Sequence, residues 1–197
     1  LGSLGLVLLA AYIGYIIHTV LVYSLSVKVF AGMSPLRFFK GILPAAVFAF
    51  TSTSSVASLP VSKECCDEMG VEKDISSFVL PLGATINMDG TAIYQCVAAI
   101  FLAKCIGMEL GLTQMITIVV TATLASIGTA GTSGAGMIML AMVLEAVGIP
   151  TTYIGIIYGI DRLFDMGRTA LNVVGDASCA ICVNHWESKA AAKKVAK

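Results

Sequence analysis

The sequence predicts an all-α membrane protein, built from spanning helices and two re-entrant helical hairpins. Three observations lead to this prediction. Apolar residues make up 57% of the 197 residues and charged residues only 12%, with a mean hydropathy of +0.91, whereas soluble domains carry about 25% charge. Long apolar runs alternate with shorter ones that end in serine- or glycine-rich breaks. The last long segment then carries acidic residues at helical spacing. A chain this short could not hide so much apolar surface from water, so the bilayer is the expected solvent.

The first spanning helix is predicted over residues 4–31. Its apolar run exceeds the roughly 20 residues that cross about 30 Å of hydrocarbon, and only His18 and Lys28 interrupt it. A basic loop follows, and the first re-entrant hairpin is predicted over 41–74. Its apolar run is too short to span the bilayer and ends in a tip rich in serine and threonine, before Pro60. We expect Pro60 to end any helix there, because proline lacks a backbone N–H.

The remaining segments repeat this order. A spanning helix is predicted over 75–108, broken by the polar segment 87–91 (Asn-Met-Asp-Gly-Thr), and a second re-entrant hairpin with a glycine-rich tip over 112–149. A polar spanning helix is predicted over 152–186, followed by a lysine-bearing cytoplasmic tail over 187–197. A hairpin followed by a helix thus occurs twice. Paired interrupted segments in two halves are typical of transporters built as inverted repeats, and they point to the binding site.

The distribution of lysine and arginine agrees with this layout. Nine of these residues fall in segments predicted to lie inside the cell, whereas only Lys104 falls outside. Such a bias is expected for a correct membrane topology. The nine inside residues are Lys28, Arg37, Lys40, Lys63, Lys73, Lys189, Lys193, Lys194 and Lys197.

Five polar residues share one face of the last predicted helix. Their spacing of 4, 3, 4 and 4 residues keeps them within about 80° at 100° per residue: Asp161, Asp165, Arg168, Asn172 and Asp176. A charge near the bilayer centre costs roughly 2.5–3.5 kcal/mol, so this stripe has to face a partner. An internal ion-pair network is one alternative, but three carboxylates exceed one arginine. The excess favours bound cations or a ligand ammonium, and oxygen-only ligands favour Na⁺ or H⁺ coupling over a transition metal.

The hairpin tips supply groups of opposite character. Helix ends near Ser54 and Ser55, and again over 131–136, would expose backbone N–H groups that bind anions. The alternative for the glycines is close helix packing within the membrane. Together with the stripe, the tips predict a site for a ligand with both charges.

Other function classes find less support. The formal net charge is zero, so no basic patch suggests nucleic acid. Both histidines, His18 and His185, lie near predicted membrane edges, and no nucleophile–base pair is evident, so we expect no enzyme. The spacing Cys179-x-x-Cys182 has no second pair to complete a metal site, and we expect no cofactor beyond a coupling ion. An ion channel stays open as an alternative, although a channel would favour rings of like residues.

Four motifs, taken together, resemble the dicarboxylate/amino acid:cation symporter family, which includes sodium-coupled glutamate and aspartate transporters. The motifs are segment 87–91, the serine-rich tip before Pro60, segment 126–131 (Ser-Ile-Gly-Thr-Ala-Gly), and segment 165–176 with Asp-Met-Gly-Arg-Thr at its start. The resemblance covers essentially the whole chain. It implies the C-terminal portion of that family's transport domain, with a glutamate-transporter-like fold, so we expect this chain to be the later part of a longer protein.

The resemblance also implies substrate-binding residues. Asp165 would hold the substrate ammonium and Arg168 its side-chain carboxylate, while Asn172 and Ser55 would take the α-carboxylate. A planar guanidinium suits bidentate recognition of a carboxylate. The residues assigned to substrate are Ser54, Ser55, Thr91, Gly131, Thr132, Gly136, Asp165, Arg168, Thr169 and Asn172.

Sodium ligands follow from the same resemblance. The residues assigned to Na⁺ form three sets: Gly83, Asn87, Asn172 and Asp176; the backbone carbonyls near Thr85, Ser126, Ile127 and Thr129; and Asn87 with Asp89. The third set would need residues from a helix that this chain does not include. We therefore expect Na⁺ as the coupling ion and no other cofactor.

The implied function is secondary active symport of aspartate or glutamate with Na⁺ by alternating access. Cystine, a neutral amino acid or a C4-dicarboxylate are alternatives on the same fold. One departure concerns charge: many family members carry an arginine at the position of Thr53 or of Met166, and Arg162 matches neither. The expected setting is a multi-pass protein of the cell membrane, in a bacterial inner membrane, assembled as a homotrimer through an N-terminal scaffold. This portion alone is not expected to transport.

Overall fold

The computed structural model describes residues 2–195, with side chains described through residue 192, and these residues form a bundle of helices without strands. In chain order the elements are α1 (Gly2–His18), a π-helical segment (Thr19–Tyr23), α2 (Ser24–Ala31), α3 (Pro35–Ser52), α4 (Ser55–Glu68), α5 (Lys73–Ile86), α6 (Asp89–Cys105), α7 (Leu112–Ile127), α8 (Ala135–Ala146), a 3₁₀ segment (Thr151–Ile154), α9 (Gly155–Tyr158) and α10 (Asp161–Val195). The predicted all-α class is confirmed. The last two residues of the predicted tail, Ala196 and Lys197, lie outside the described residues.

Two helical stretches are long and apolar enough to cross a membrane. The first, Gly2–Ala31, has a mean hydropathy of 2.1 with only 17% of its most apolar window buried, and the second is Lys73–Cys105. Large apolar side chains of the first stretch, such as Leu6 and Leu21, are exposed. This outward apolar surface suits a lipid environment, because hydrocarbon is the one solvent in which it carries no penalty.

Two pairs of helices form helical hairpins. Helices α3 and α4 pack against each other and are joined by Thr53 and Ser54 alone, whereas α7 and α8 pack against each other across the longer segment 128–134. Between the hairpins, α5 and α6 are separated at Asn87 and Met88, whose backbone leaves the helical region. We call the two connecting segments the first tip (residues 52–55) and the second tip (residues 128–134).

Several observed boundaries differ from the predicted ones. Helix α3 begins at Pro35, before the predicted start at 41, because Ser34 is extended and proline fits the first position of a helix. The prediction that Pro60 ends a helix is wrong, since Pro60 lies inside α4. Helix α10 begins at Asp161 rather than 152. The preceding residues form short elements that contain Gly155 and Gly159, and glycine weakens a continuous helix.

Helix α10 occupies the centre of the bundle. It packs against all of α1 to α6, so its polar stripe faces protein. Each of the five stripe residues is at most 7% exposed, including Asp161, Asp176 and Arg168. The expectation that this face is turned toward a partner is confirmed.

Candidate binding site between the hairpin tips

A small cavity lies where the two tips meet the break between α5 and α6 and the middle of α10. Its free volume is about 10 Å³, roughly the space that holds one water molecule. The lining residues are Thr53, Ser55, Met88, Thr91, Thr129, Ala130, Gly131, Thr132, Gly136, Asp165, Arg168, Thr169 and Asn172. Nine of the ten residues predicted to bind substrate are among them. The tenth, Ser54, caps α4 instead: its hydroxyl accepts from the Ala57 N–H at 3.2 Å and donates to the Gly131 carbonyl at 3.1 Å.

The two charged residues of the cavity pair with each other. Arg168 donates from Nε and Nη2 to Asp165 Oδ1 at 3.0 and 2.9 Å, and both side chains are almost fully buried. Thr169 donates to the same oxygen at 3.3 Å. A buried ion pair needs such additional hydrogen bonds to offset the loss of hydration. The pair therefore neutralises the centre of the cavity.

The third nitrogen of Arg168 is left without a partner. Of the buried side-chain polar atoms that the structure describes, only Tyr15 Oη, Gln95 Oε1 and Arg168 Nη1 make no hydrogen bond. The guanidinium carbon lies 4.7 Å from the centre of the Tyr94 ring, a cation–π contact. On its other side is Gly136, where a Cβ would overlap Nη1. The glycine thus leaves room for a guanidinium with one free donor.

Asn172 ties α10 to the break between α5 and α6. Its Oδ1 accepts from the Gly90 N–H at 2.8 Å, and its Nδ2 donates to the Met88 sulfur at 3.1 Å and to Thr91 Oγ1 at 3.5 Å. Gly90 allows this close approach, since a Cβ there would lie 2.5 Å from the Arg168 carbonyl oxygen. The polar stripe and the broken helix therefore form one rigid wall of the cavity.

The first predicted set of sodium ligands is brought together. Asn87 donates from Nδ2 to Asp176 Oδ1 at 2.9 Å and to the Asn172 carbonyl at 3.3 Å. Gly83 packs directly against the Asp176 carboxylate, where a Cβ would overlap Oδ1. A carboxylate oxygen and a carbonyl oxygen thus converge on a single amide group.

The other sodium ligands are arranged less tightly. The second set is divided between the ends of α5 and α7, which touch. Each hydroxyl of this set donates to a carbonyl three or four residues earlier in the sequence. Thr85 donates to the Leu82 carbonyl, Ser126 to that of Thr123, and Thr129 to that of Ala125. Ile127, the fourth member, is 49% exposed.

Asp89, of the third set, is engaged by the first helical stretch. Its Oδ2 accepts from the Tyr23 hydroxyl at 2.9 Å and lies 3.1 Å from His18 Nε2. In this structure Asp89 is therefore bound by Tyr23 and His18, on the side of α6 that faces the first helical stretch.

Several residues at the site escaped the sequence analysis. Ser133 contacts Asp165 from the second tip, Tyr94 stacks on Arg168, and Gln95 donates to the Gly136 carbonyl at 3.4 Å. Tyr94 and Gln95 lie on a mostly apolar helix, where an aromatic residue is expected to face lipid. The isolated Gln95 in such a helix is the one sequence signal for these contacts, because a buried amide requires hydrogen-bond partners.

The fold and the site together define a helical membrane protein that encloses a cavity with carboxylate, guanidinium and amide groups. Residues 1–186 match the sequence pattern of the sodium:dicarboxylate symporter family. The chain belongs to this family, and the resemblance drawn from its motifs is confirmed. Membership makes it part of a multi-pass membrane protein.

The relatives with similar sequences are named amino-acid transporters. The chain is 44% identical to human neutral amino acid transporter A, over 97% of the chain and 36% of that protein. It is 45% identical to rabbit (Oryctolagus cuniculus) neutral amino acid transporter B(0), over 94% and 34%. It is 44% identical to human excitatory amino acid transporter 2, over 93% and 32%. The chain thus spans about a third of the length of these relatives. They are mammalian and give no support to a bacterial inner membrane. Family and relatives are transporters and not enzymes, which confirms that prediction.

Proposed function

We propose that the chain is the substrate-carrying part of a secondary active symporter that moves aspartate or glutamate together with Na⁺. One observation carries the proposal: the buried Arg168 keeps Nη1 free beside a cavity that also holds Asp165. A buried guanidinium donor without a partner carries a desolvation cost. A ligand carboxylate would remove this cost, and a second charged group of the ligand would compete for Asp165.

Each charged group of an acidic amino acid has a partner at this site. Asp165 takes the ammonium and Arg168 the side-chain carboxylate. Ser55, Asn172 and the second tip take the α-carboxylate. A free volume of about 10 Å³ has no room for such a molecule, so the second tip has to move before binding. The second hairpin is therefore the lid of the site.

Sodium fits the first set of ligands by the same reasoning. Asp176 is 3% exposed and pairs with the neutral amide of Asn87. A buried carboxylate without a cation is costly. An ion in the place of the Asn87 amide group would contact Asp176 Oδ1 and the Asn172 carbonyl, with Asn87 turned to offer its own oxygen. Oxygen ligands of this kind suit a hard cation such as Na⁺.

The two hairpins are re-entrant segments of an inverted repeat, and the whole unit moves across the membrane against an N-terminal scaffold that also forms a homotrimer. The Ser- and Gly-rich tips at membrane depth support this, because non-helical backbone is tolerated there only where protein or a wet cavity surrounds it. One net charge moved through 100 mV supplies about 2.3 kcal/mol. Cotransported Na⁺ can thus drive accumulation of the substrate.

A neutral amino acid is the second candidate. The names of the two neutral amino acid transporters favour it, at identities of 44% and 45%, but the excitatory amino acid transporter is as similar at 44%. The free Arg168 donor favours an acidic substrate. Cystine and C4-dicarboxylates also carry two carboxylates, and they remain to be separated by competition.

The substrate assignment is tested with Arg168→Cys in the full-length protein, reconstituted in proteoliposomes. Uptake of radiolabelled aspartate, glutamate, alanine, serine, cystine and succinate is measured with and without a sodium gradient. We expect acidic uptake to fall at least 100-fold while uptake of neutral amino acids persists or rises. Loss of a charge-assisted bidentate pair is worth several kcal/mol when buried, which supports an effect of this size.

Arg37→Cys is the matched control, since among the described residues Arg37 donates to the Met69 carbonyl alone, at 3.4 Å and away from the cavity. Size-exclusion profiles of both variants exclude misfolding. Undiminished aspartate uptake by Arg168→Cys would refute the carboxylate role. A wild-type protein that transports alanine or serine, but not aspartate, would favour the neutral alternative.

A further inference from the structure

Ser133, in the second tip, is held between a cation and an anion of α10. Its hydroxyl accepts from Arg162 Nη1 at 2.7 Å and donates to Asp165 Oδ2 at 3.2 Å. Thr53 of the first tip lies 2.9 Å from the same hydroxyl oxygen. One serine thus joins both tips to the last helix.

The direction of these bonds is set by chemistry. A guanidinium can only donate and an ionised carboxylate can only accept, while a hydroxyl does both. The proton order therefore runs from Arg162 through Ser133 to Asp165, and each bond has a charged partner. Charge-assisted hydrogen bonds are about twice as strong as neutral ones. Arg162, which matched no motif position in the sequence, has a defined contact at the lid.

The lid and the proposed substrate use the same carboxylate, that of Asp165. The Gly134 N–H also donates to Asp165 Oδ2, at 2.9 Å. In the proposed function, the carboxylate of Asp165 receives the substrate ammonium. With the second tip bound to Asp165, the cavity measures about 10 Å³ and Arg168 is paired within α10. This closed arrangement and a loaded site exclude each other.

We propose that Arg162 and Ser133 form a latch that closes the second hairpin over the unloaded site, and that this closure permits the return step of the transport cycle. The inference rests on the proposed symport. Arg162 acts here as a positioning residue, because it reaches Asp165 only through Ser133. A carrier that cannot close without its substrate can still exchange substrate across the membrane, but it performs little net uptake.

The test compares net uptake with exchange in proteoliposomes containing the full-length protein. We expect Arg162→Gln to lower net uptake of labelled amino acid about tenfold, the lower end expected for losing a hydrogen bond to a charged group. Exchange against internal unlabelled amino acid should stay within twofold. Ser133→Ala should also lower net uptake, and the double variant should lower it no further than Arg162→Gln alone. Arg162→Lys, which keeps a donor, should restore part of net uptake, and Arg37→Gln should change neither rate.

A second readout needs no substrate. Hydrogen exchange of the peptide that covers residues 128–135 should quicken in Arg162→Gln and stay unchanged in Arg37→Gln. Hydrogen exchange at the second tip that is unchanged in Arg162→Gln would overturn the proposed latch. Equal losses of net uptake and of substrate exchange in this variant would overturn it as well. If the wild-type protein moves none of the tested amino acids, the proposed function fails, and the hydrogen exchange at the tip alone decides whether the latch exists.

Discussion

Both hairpin tips reverse the direction of the chain between two helices beside the candidate binding site, but they differ in structure. The first tip turns in two residues and is fixed by its own backbone. Thr53 adopts a left-handed conformation with φ of 54° and donates its N–H to the Ala49 carbonyl at 2.9 Å, while Ser54 caps α4. The second tip takes seven residues, three of them glycine. Its position depends on the residues of α10 and of the first tip that it contacts.

Besides the contact of Thr53 with Ser133, the backbone of Gly131 joins the second tip to the first hairpin. Its carbonyl accepts from the Val56 N–H at 3.2 Å and from the Ser54 hydroxyl at 3.1 Å. A tip that turns in two residues can act as a platform. The second tip has backbone hydrogen bonds of its own, such as Thr129 N–H to the Ser126 carbonyl at 3.0 Å, but it is longer and contains three glycines, so it can leave this platform more readily. The difference between the tips therefore assigns the moving part to the second hairpin, and the predictions below test that assignment.

Gly131→Ala is expected to have the largest effect. A Cβ at this position would lie 2.5 Å from the Ala84 carbonyl oxygen and 3.1 Å from a Val56 methyl group. Because backbone cannot yield, the second tip has to shift, at the 1–3 kcal/mol typical of overpacking. This cost opposes closure over the unloaded site, so net uptake of labelled amino acid by the full-length protein in proteoliposomes should fall by up to about 100-fold.

Gly128→Ala provides the control within the same tip. Its Cβ would meet only the Met139 methyl group, at 3.5 Å, an ordinary contact. Net uptake should stay within twofold of the wild type. Equal net uptake in the two variants would mean that closure of the second tip onto Ala84 is not required for the return step.

Asp176→Asn should give an intermediate effect, on sodium rather than on the substrate. Asp176 packs against Gly83, the neighbour of the Ala84 residue on which Gly131 rests. A neutral amide loses the charge that holds the ion, so the sodium concentration for half-maximal substrate binding should rise about tenfold or more, equivalent to about 1.4 kcal/mol. Selectivity among amino acids should change little.

Asp67→Asn is the matched control, because Asp67 accepts from the Ser76 hydroxyl at 2.7 Å and lines no part of the cavity. Sodium titrations of binding are recorded for both variants. An unchanged sodium requirement in Asp176→Asn would contradict the ion site formed by Gly83, Asn87, Asn172 and Asp176.

The sequence predicts the parts of this site that depend on helical spacing. Spacing alone predicts that Asp161, Asp165 and Asp176 share a buried face, and the breaks at 87–91 and at both tips follow from glycine and small polar residues. Each of these signals depends on residues that are close in the sequence, so it can be recognised without knowledge of the fold. The substrate residues are implied by the family resemblance, and nine of these ten line one cavity.

Contacts between distant segments could not be predicted in this way. By helical angle alone, Arg162 lies about 100° from Asp161 and off the stripe. Its long side chain nevertheless reaches Ser133. Asp165 pairs with Arg168, and Asp89 accepts from Tyr23. Each of these carboxylates has several polar groups that could bind it, and the sequence does not show which one does. Such choices depend on the packed geometry, which a sequence pattern does not contain.

The smallest expected effect concerns the left-handed residue in each tip, Thr53 with φ of 54° and Gly134 with φ of 81°. Gly134→Ala keeps enough space, since nothing lies within 4 Å of its Cβ, but a left-handed alanine costs about 1–2 kcal/mol. Hydrogen exchange of the second tip should therefore quicken at least about fivefold, the factor that corresponds to the lower of these costs.

Thr53→Gly makes the reciprocal change in the first tip. Relief of the left-handed threonine is offset by the greater flexibility of glycine, about 0.5–1 kcal/mol, so exchange of the first tip should stay within twofold. Exchange is compared at both tips in the full-length wild type and in each variant. An equal response of the two tips would mean that the first tip is no more fixed by its own backbone than the second, and it would remove the reason for choosing the second hairpin as the lid.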